Sequence, residues 1–249
     1  MTVVVFLGPT MPVEDARAIL PDATFLPPAQ QGDVISAILR FEPTAVALID
    51  GGFLHSLAVW HKEILWALDQ NIAVLGASSM GALRAAECHD FGMVGVGRIY
   101  EHYLNGTLVA DDEVAIVHAD AAHGWRPTSE ALVNVRATVA SAVSANVLTP
   151  AVAESIIAAG KSLYFPDRTW ASILSAVDTD ALGAFPAFVR EHAVDQKRLD
   201  AIELLTLIAA GAIGPPNRDD LDFNNSRPLR GLIARDRKVY RQAGPVSVE

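Results

Sequence analysis

The sequence predicts an α/β fold: a small, mostly parallel sheet flanked by helices in the N-terminal half, then a helical C-terminal half. Three observations carry this. Continuous apolar, β-branched runs such as "TVVVFLG" recur without alternation, the pattern of strands buried on both faces. Helix-like segments separate these runs, so successive strands need crossovers and run parallel. From about Pro127 the strand pattern stops and helical segments follow one another.

In chain order, "TVVVFLG" reads as the first buried strand and "VEDARAIL" as a short helix. "ATFLPP" is a short strand ended by Pro27 and Pro28, and "GDVISAILRFE" a helix with Val34, Ile38 and Phe41 near helical spacing. "TAVALIDGG" is the next buried strand, closed by Asp50 and two glycines. "LHSLAVWHKEILWALDQ" reads as one long helix, "NIAVLGA" as a third buried strand, and "SMGALRAAECHD" as the helix after it. In the second half, "TSEALVNVRATVASAVSANV", "TPAVAESIIAAGKSLYF", "RTWASILSAV" and "VDQKRLDAIELLTLIAAGA" are helical, with Thr149-Pro150 a helix start. The expected organisation is an α/β domain over 1–125, a helical region over 126–213 packed on it, and a tail over 214–249. The tail is rich in Pro, Asn, Asp and Arg and is expected to be loosely ordered.

Composition narrows the function. About half of the 249 residues are apolar (51%), enough for a real core. A formal net charge of -10 argues against nucleic acid or an anionic membrane as the main partner. The opening "MTVVVFLGPTMP" has no basic n-region or long h-region, and no apolar run reaches membrane-spanning length. One cysteine, Cys88, allows no intrachain disulfide. A cytoplasmic protein is expected.

Parallel sheets collect their sites beyond the carboxyl ends of the strands. Three stretches qualify: "GPTMP" at 8–12, "DGG" at 50–52 and "GASS" at 76–79. Ser78 and Ser79 stand where a strand turns into a helix. A serine there caps the helix, a role worth about 1 kcal/mol, and one serine suffices for it. The spacing Ala77-x-Ser79-x-Gly81 also resembles a nucleophile elbow with alanine in place of the first glycine. Ser78, the earlier residue, fits the cap, and Ser79 the nucleophile. The first-turn amides would form an oxyanion hole, although anion binding would use the same atoms.

A serine nucleophile needs a base. The histidines at 55, 61, 89, 102, 118, 123 and 192 are scattered, and no Ser-His-Asp order stands out. Lys62, on the long helix, has Ala58, Val59, Leu65 and Trp66 three and four positions away, all apolar. Desolvation is expected to lower its pKa into the range of a useful base. An ion pair with Glu87, Asp50 or Glu63 is the alternative. "DDEVAIVHAD" places Asp111, Asp112, Glu113 and His118 together. Adjacent carboxylates cannot all aim at one ion, so solvated loop acids before a strand are expected and no metal site. "GMVGVGRIYEHY" lacks the third glycine of a dinucleotide fingerprint, and no Walker pattern is present. Cys88 reads as a buried, unreactive thiol.

"FLGPTMP", "PPAQQGD", "IDGGF", "WHKEIL", "GASSMGALRAAE", "GMVGVGRIYEHY", "DDEVAIVH" and "VNVR", in this order over roughly residues 4 to 136, resemble the TfuA-like family. "VDQKRLDAIELL" extends the likeness. The resemblance implies a partner of YcaO enzymes in peptide backbone thioamidation, in RiPP biosynthesis or protein modification. It implies hydrolysis of the C-terminal thiocarboxylate of a ThiS-like sulfur carrier protein. The released sulfide would go to the YcaO enzyme, whose engagement of its peptide the protein would also assist. It further implies a Ser–Lys pair, here a serine of "GASSMG" and Lys62. No cofactor is implied. A thin, Gly-ended carrier tail suits a narrow channel at Gly8, Gly51, Gly52, Gly76 and Gly81. Arg84 and Arg98 are candidates to steer its charged end, with salt bridging inside the fold as their ordinary role. Two other readings stay open: a non-catalytic adaptor docking on a YcaO enzyme, and a nucleotide-binding sheet protein.

Overall fold

The computed structural model describes residues 2–52, 57–214, 216, 223 and 226–243. Five strands form one parallel sheet: β1 (Val3–Phe6), β2 (Thr24–Leu26), β3 (Ala45–Leu48), β4 (Ala73–Ala77) and β5 (Val94–Val96), in the order β2-β1-β3-β4-β5. Helices α1 (Val13–Ile19), α2 (Asp33–Phe41), α3 (His61–Asp69), α4 (Met80–Glu87) and α5 (Arg98–Leu104) alternate with them. The helical half contains α6 (Leu132–Ser144), α7 (Pro150–Ser162), α8 (Trp170–Ser175), α9 (Thr179–Leu182), α10 (Phe185–His192) and α11 (Gln196–Ala209), and α12 (Arg227–Ala243) follows. The predicted fold class is therefore the observed one.

Strand residues alternate between two cores, as the pleat requires. Val4, Phe6, Val46, Leu48 and Val74 face a core shared with α2, α3 and α4. Val3, Val5, Ala45, Ala47, Ala73, Leu75 and Ala77 face α1 and α11. Small side chains on β3 and β4 let α11 lie close, through Ala201, Leu204, Leu205 and Ile208. A helix some hundred residues beyond β5 in sequence thus covers half of one sheet face. The remaining C-terminal helices build a third core around Leu132, Val139, Ile156, Ile173 and Phe185. Thr149 starts α7 as expected, its side chain accepting from the Val152 amide with Pro150 next.

Several expectations need correction. The long helix over 54–70 does not form: residues 57–60 are extended, Ala58 bridges Gln30, and α3 begins only at His61. Residues 53–56 lie outside the described residues. β5 was not anticipated, because a three-residue strand centred on Gly95 carries little pattern; the Tyr100 ring occupies the space a Cβ there would need. "DDEVAIVHAD" leads into no strand. Asp111–Glu113 form a single 3-10 turn, and two of its three acids, Asp112 and Glu113, are paired. Arg136 grips Glu113 at 2.8 and 2.9 Å, and the fully buried Arg168 donates to Asp112 Oδ2 at 2.7 Å. Within the expected loose tail, Arg227–Ala243 is a helix whose Leu229 and Ile233 are buried in the core shared with α2.

α4 is pressed unusually hard onto the sheet. A Cβ on Gly81 would lie 1.8 Å from Leu48 O, and one on Gly76 2.1 Å from Gly81 O. Backbone cannot move aside as a flexible side chain can. Gly81→Ala is therefore expected to destabilise by about 1–3 kcal/mol, lowering the melting temperature by several degrees. Gly231→Ala in α12, where nothing lies within 4 Å, should be neutral or slightly stabilising, as a helix-propensity change predicts. Differential scanning calorimetry of both variants checks the contrast.

Candidate active site

The strand order reverses direction between β1 and β3. The helices that follow these neighbours, α1 and α3, lie on opposite faces of the sheet. Their outgoing loops therefore diverge and open a crevice, where sites of such sheets form. The three stretches picked out in the sequence meet here: the loop after β1, Asp50 after β3, and the serines after β4.

Asp50 is 2% exposed. A buried carboxylate needs donors, and three are supplied. Its Oδ2 accepts from the amides of Gly8 (2.9 Å) and Thr10 (3.0 Å), and its Oδ1 from the Thr10 hydroxyl (2.7 Å). Thr10 Oγ1 in turn lies 3.1 Å from Ser78 Oγ. Four loop groups from three strands are thereby tied into one buried chain.

Ser78 is fully buried and has φ 69°, a left-handed value rare outside glycine. Around it the Ser79 amide donates to Ala77 O at 2.9 Å, closing a three-residue turn. In this positive-φ sense such a turn is rare and strained, at a cost of about 1–3 kcal/mol. Ser79 occupies the cap position of α4, yet its side chain makes no capping hydrogen bond. The expected division, Ser78 as cap and Ser79 alone at the elbow, does not describe this turn: Ser78 points to Thr10, and the strained residue is one place earlier than the spacing suggested. The oxyanion cradle is also narrower than expected, since the amides of Ser79 and Gly81 are committed to Ala77 O and Ile49 O.

The glycines expected to line a channel instead allow close packing. Gly76 and Gly81 admit α4, Gly51 lies against the Met80 side chain, and Gly8 against Pro28. Gly52 donates to Ala29 O. Arg84 is held by Val59 O (2.9 Å) and Glu87 (2.5 Å), the ordinary structural role. Arg98 lines a separate, mainly apolar cavity of about 190 Å³ with Ile99, His102 and Val133.

Lys62 is only half-buried, with its Nζ 6.0 Å from the centre of the Trp60 ring. Among the described residues no hydrogen bond or ion pair joins it to either serine. The residue of "HKE" that is buried is Glu63, whose Oε1 accepts from the Gly32 (2.8 Å) and Trp60 (3.2 Å) amides. The lysine at the crevice is Lys197 on α11. It is 3% exposed, and its Nζ donates to Val114 O at 3.1 Å. Burial pushes its pKa down, while the Asp50 and Asp195 carboxylates push it up. Thr10 and Lys197 share the wall of a cavity of about 220 Å³, with Glu130, Asn134, Trp170 and Asp195 among the other lining residues. Burial and the Asp195 charge raise the Glu130 pKa.

The described histidines serve elsewhere where they bond: His61 pairs with Glu87, His89 with Tyr100 and His123 with Asp120. His55 lies outside the described residues. Among the described residues no three His, Cys, Asp or Glu side chains are grouped to hold a metal ion. The Cys88 thiol is buried and pushed up to about 12, chiefly by that burial, so it is no nucleophile at neutral pH. No helix among the described residues is long and apolar enough to cross a membrane.

A three-layer α/β protein with a buried polar chain at its strand-order reversal is the class these features define. Residues 50–169, just under half of the chain, match the model of the family described as TfuA-like protein, a span that includes Asp50, Lys62 and both serines. No curated protein matches the chain. Association with YcaO enzymes is a general property of that family, and the match supports a role associated with YcaO-dependent thioamidation.

Glu63 provides a test of the described packing. Burial raises its carboxyl from 4.5 to about 7, against the lowering effect of its amide donors, and its Oε2 has no hydrogen-bond partner. The folded state therefore binds the proton more tightly than the unfolded state. The stabilisation is full below pH 4.5 and is lost as pH rises through about 7. Glu63→Gln keeps the amide acceptor and removes the titration. Relative to it, wild type is expected to lose up to roughly 3 kcal/mol across that window, measured by urea denaturation at several pH values.

Proposed function

We propose that this protein hydrolyses the C-terminal thiocarboxylate of a ThiS-like sulfur carrier protein and so supplies sulfide to a YcaO enzyme for peptide thioamidation. The observation that carries the reading is the strained, buried Ser78 at the strand-to-helix elbow, hydrogen-bonded to Thr10, which shares a cavity wall with the buried Lys197. Ser78 is the nucleophile and Lys197 the base in this scheme, with Ser79 and Lys62 as the competing assignments. Ser78 Oγ attacks the thiocarboxyl carbon while its proton passes to Lys197. The tetrahedral adduct expels sulfide, which takes up that proton and leaves an acyl-serine. Water, losing a proton to Lys197, then cleaves the ester; Lys197 returns that proton to the leaving serine oxygen, and the new carboxylic acid gives up its proton to hydrosulfide. The balance is R–COS⁻ + H₂O → R–COO⁻ + H₂S. Sulfide leaves far more readily than an amine, so no strong general acid is needed.

The cavity supports a tail rather than a cofactor. About 220 Å³ is below the usual size of small-molecule sites and suits the last few small residues of an extended peptide. One observation favours a second reading, a docking adaptor without turnover: Ser78 is fully buried, so a substrate reaches it only if the crevice opens. Assisting the YcaO enzyme to engage its peptide is compatible with both.

The two readings separate on sulfide release from a thiocarboxylated carrier by this protein alone. Ser78→Ala and Lys197→Met are each expected to lower turnover by at least about a hundredfold, with Ser79→Ala and Lys62→Ala within about tenfold of wild type. Melting curves run beside each assay, since truncating buried groups also destabilises. A loss confined to Ser79 and Lys62 would return the site to those residues, and no turnover by wild type would leave the adaptor.

A further inference from the structure

We infer that Thr10 and Asp50 are positioning residues for the serine: Asp50 fixes Thr10, and Thr10 aims the Ser78 hydroxyl. The inference rests on the serine reading above and extends it to residues outside the Ser–Lys pair.

The direction of each hydrogen bond follows from counting protons. A threonine hydroxyl has one proton, and that of Thr10 goes to Asp50 Oδ1 at 2.7 Å. In the bond of 3.1 Å between Thr10 and Ser78, Thr10 is therefore the acceptor and Ser78 the donor. The serine proton has a defined direction instead of rotating freely. Thr10 cannot turn away either: its own amide and that of Gly8 are both bound to Asp50 Oδ2. The charge on Asp50 strengthens all three bonds, as ionised acceptors do, and all lie out of water.

Ser78 needs such a guide because its backbone is strained. At φ 69° the residue gains nothing from staying at the elbow unless its surroundings hold it there. Thr10 and Lys197 line the same cavity. The residue that orients Ser78 and the lysine of the proposed pair thus border one cavity. For attack the Ser78 hydroxyl must turn its proton from Thr10 to Lys197; Thr10 keeps its own proton on Asp50 throughout, so this rotation leaves no buried donor unpaired.

The test compares Thr10→Val, which keeps shape and loses the hydroxyl, with Thr10→Ser, which keeps the hydroxyl. Sulfide release is measured with a thiocarboxylated carrier, and the rate of Ser78 phosphonylation by a fluorophosphonate is followed by mass spectrometry. Thr10→Val is expected to lower kcat and the phosphonylation rate by about a hundredfold with KM within about twofold, the signature of misplaced reacting atoms. Thr10→Ser should recover both to within about threefold of wild type. If valine does not fold, Thr10→Ala takes its place under the same criteria. A Thr10→Val enzyme with both rates within about threefold of wild type overturns the inference, as does a serine variant as impaired as the valine one. The labelling arm needs no thiocarboxylate. Wild type that is phosphonylated at Ser78 but releases no sulfide sinks the proposed reaction while Thr10 is still judged on labelling. Wild type inert in both assays overturns both.

Discussion

The buried carboxylate of Asp50 is the constraint around which the carboxyl edge of the sheet is arranged. A charge taken out of water must find donors or cost several kcal/mol. The donors Asp50 finds are two amides and a hydroxyl from the loop after β1, so that loop is bent back over β3. Gly8 permits this because its missing Cβ leaves room for Pro28. The hydroxyl recruited by Asp50 then meets Ser78, and Lys197 from α11 borders the same cavity as Thr10, its pKa pushed down by burial against the raising effect of the Asp50 charge. Stability and the candidate chemistry therefore draw on the same few atoms.

The sheet, its parallel sense and the edge on which the site lies were all legible, because unbroken β-branched runs between helical segments have few other solutions. The chain positions of the site were legible too, down to the three loops after β1, β3 and β4. Its wiring was not. Which serine takes the positive φ depends on a one-residue choice of helix start, which spacing alone does not determine. Thr10 has no role assigned from sequence, and Asp50 only that of a possible partner for Lys62, since a hydrogen bond across forty positions leaves no local pattern. Lys62 drew attention through an assumed helix that begins seven residues later than expected.

Lys197 carried a signal that went unread. It stands four positions before Ala201, seven before Leu204 and eight before Leu205, on the buried stripe of α11. A lysine in that register is either a buried charge or evidence against the helix. Applying the periodicity argument to the C-terminal half, as it was applied to the residues around Lys62, would have found it. The acids at 111–113 teach a related lesson: Arg136 and Arg168, both on or between later helices, turn an apparently solvated run into two anchors for the helical half.

The position of α11 has a consequence for how the protein is made. Ribosomes release a chain from its N-terminus, and domains generally begin to fold as they emerge. Here all five strands are available once about a hundred residues are out, but the face under Ala201, Leu204, Leu205 and Ile208 has no cover until a further hundred have followed. For that interval the nascent sheet presents an apolar surface to water or to a chaperone. Lys197 also arrives with the covering helix, so the cavity wall it shares with Thr10 is complete only when the sheet is closed.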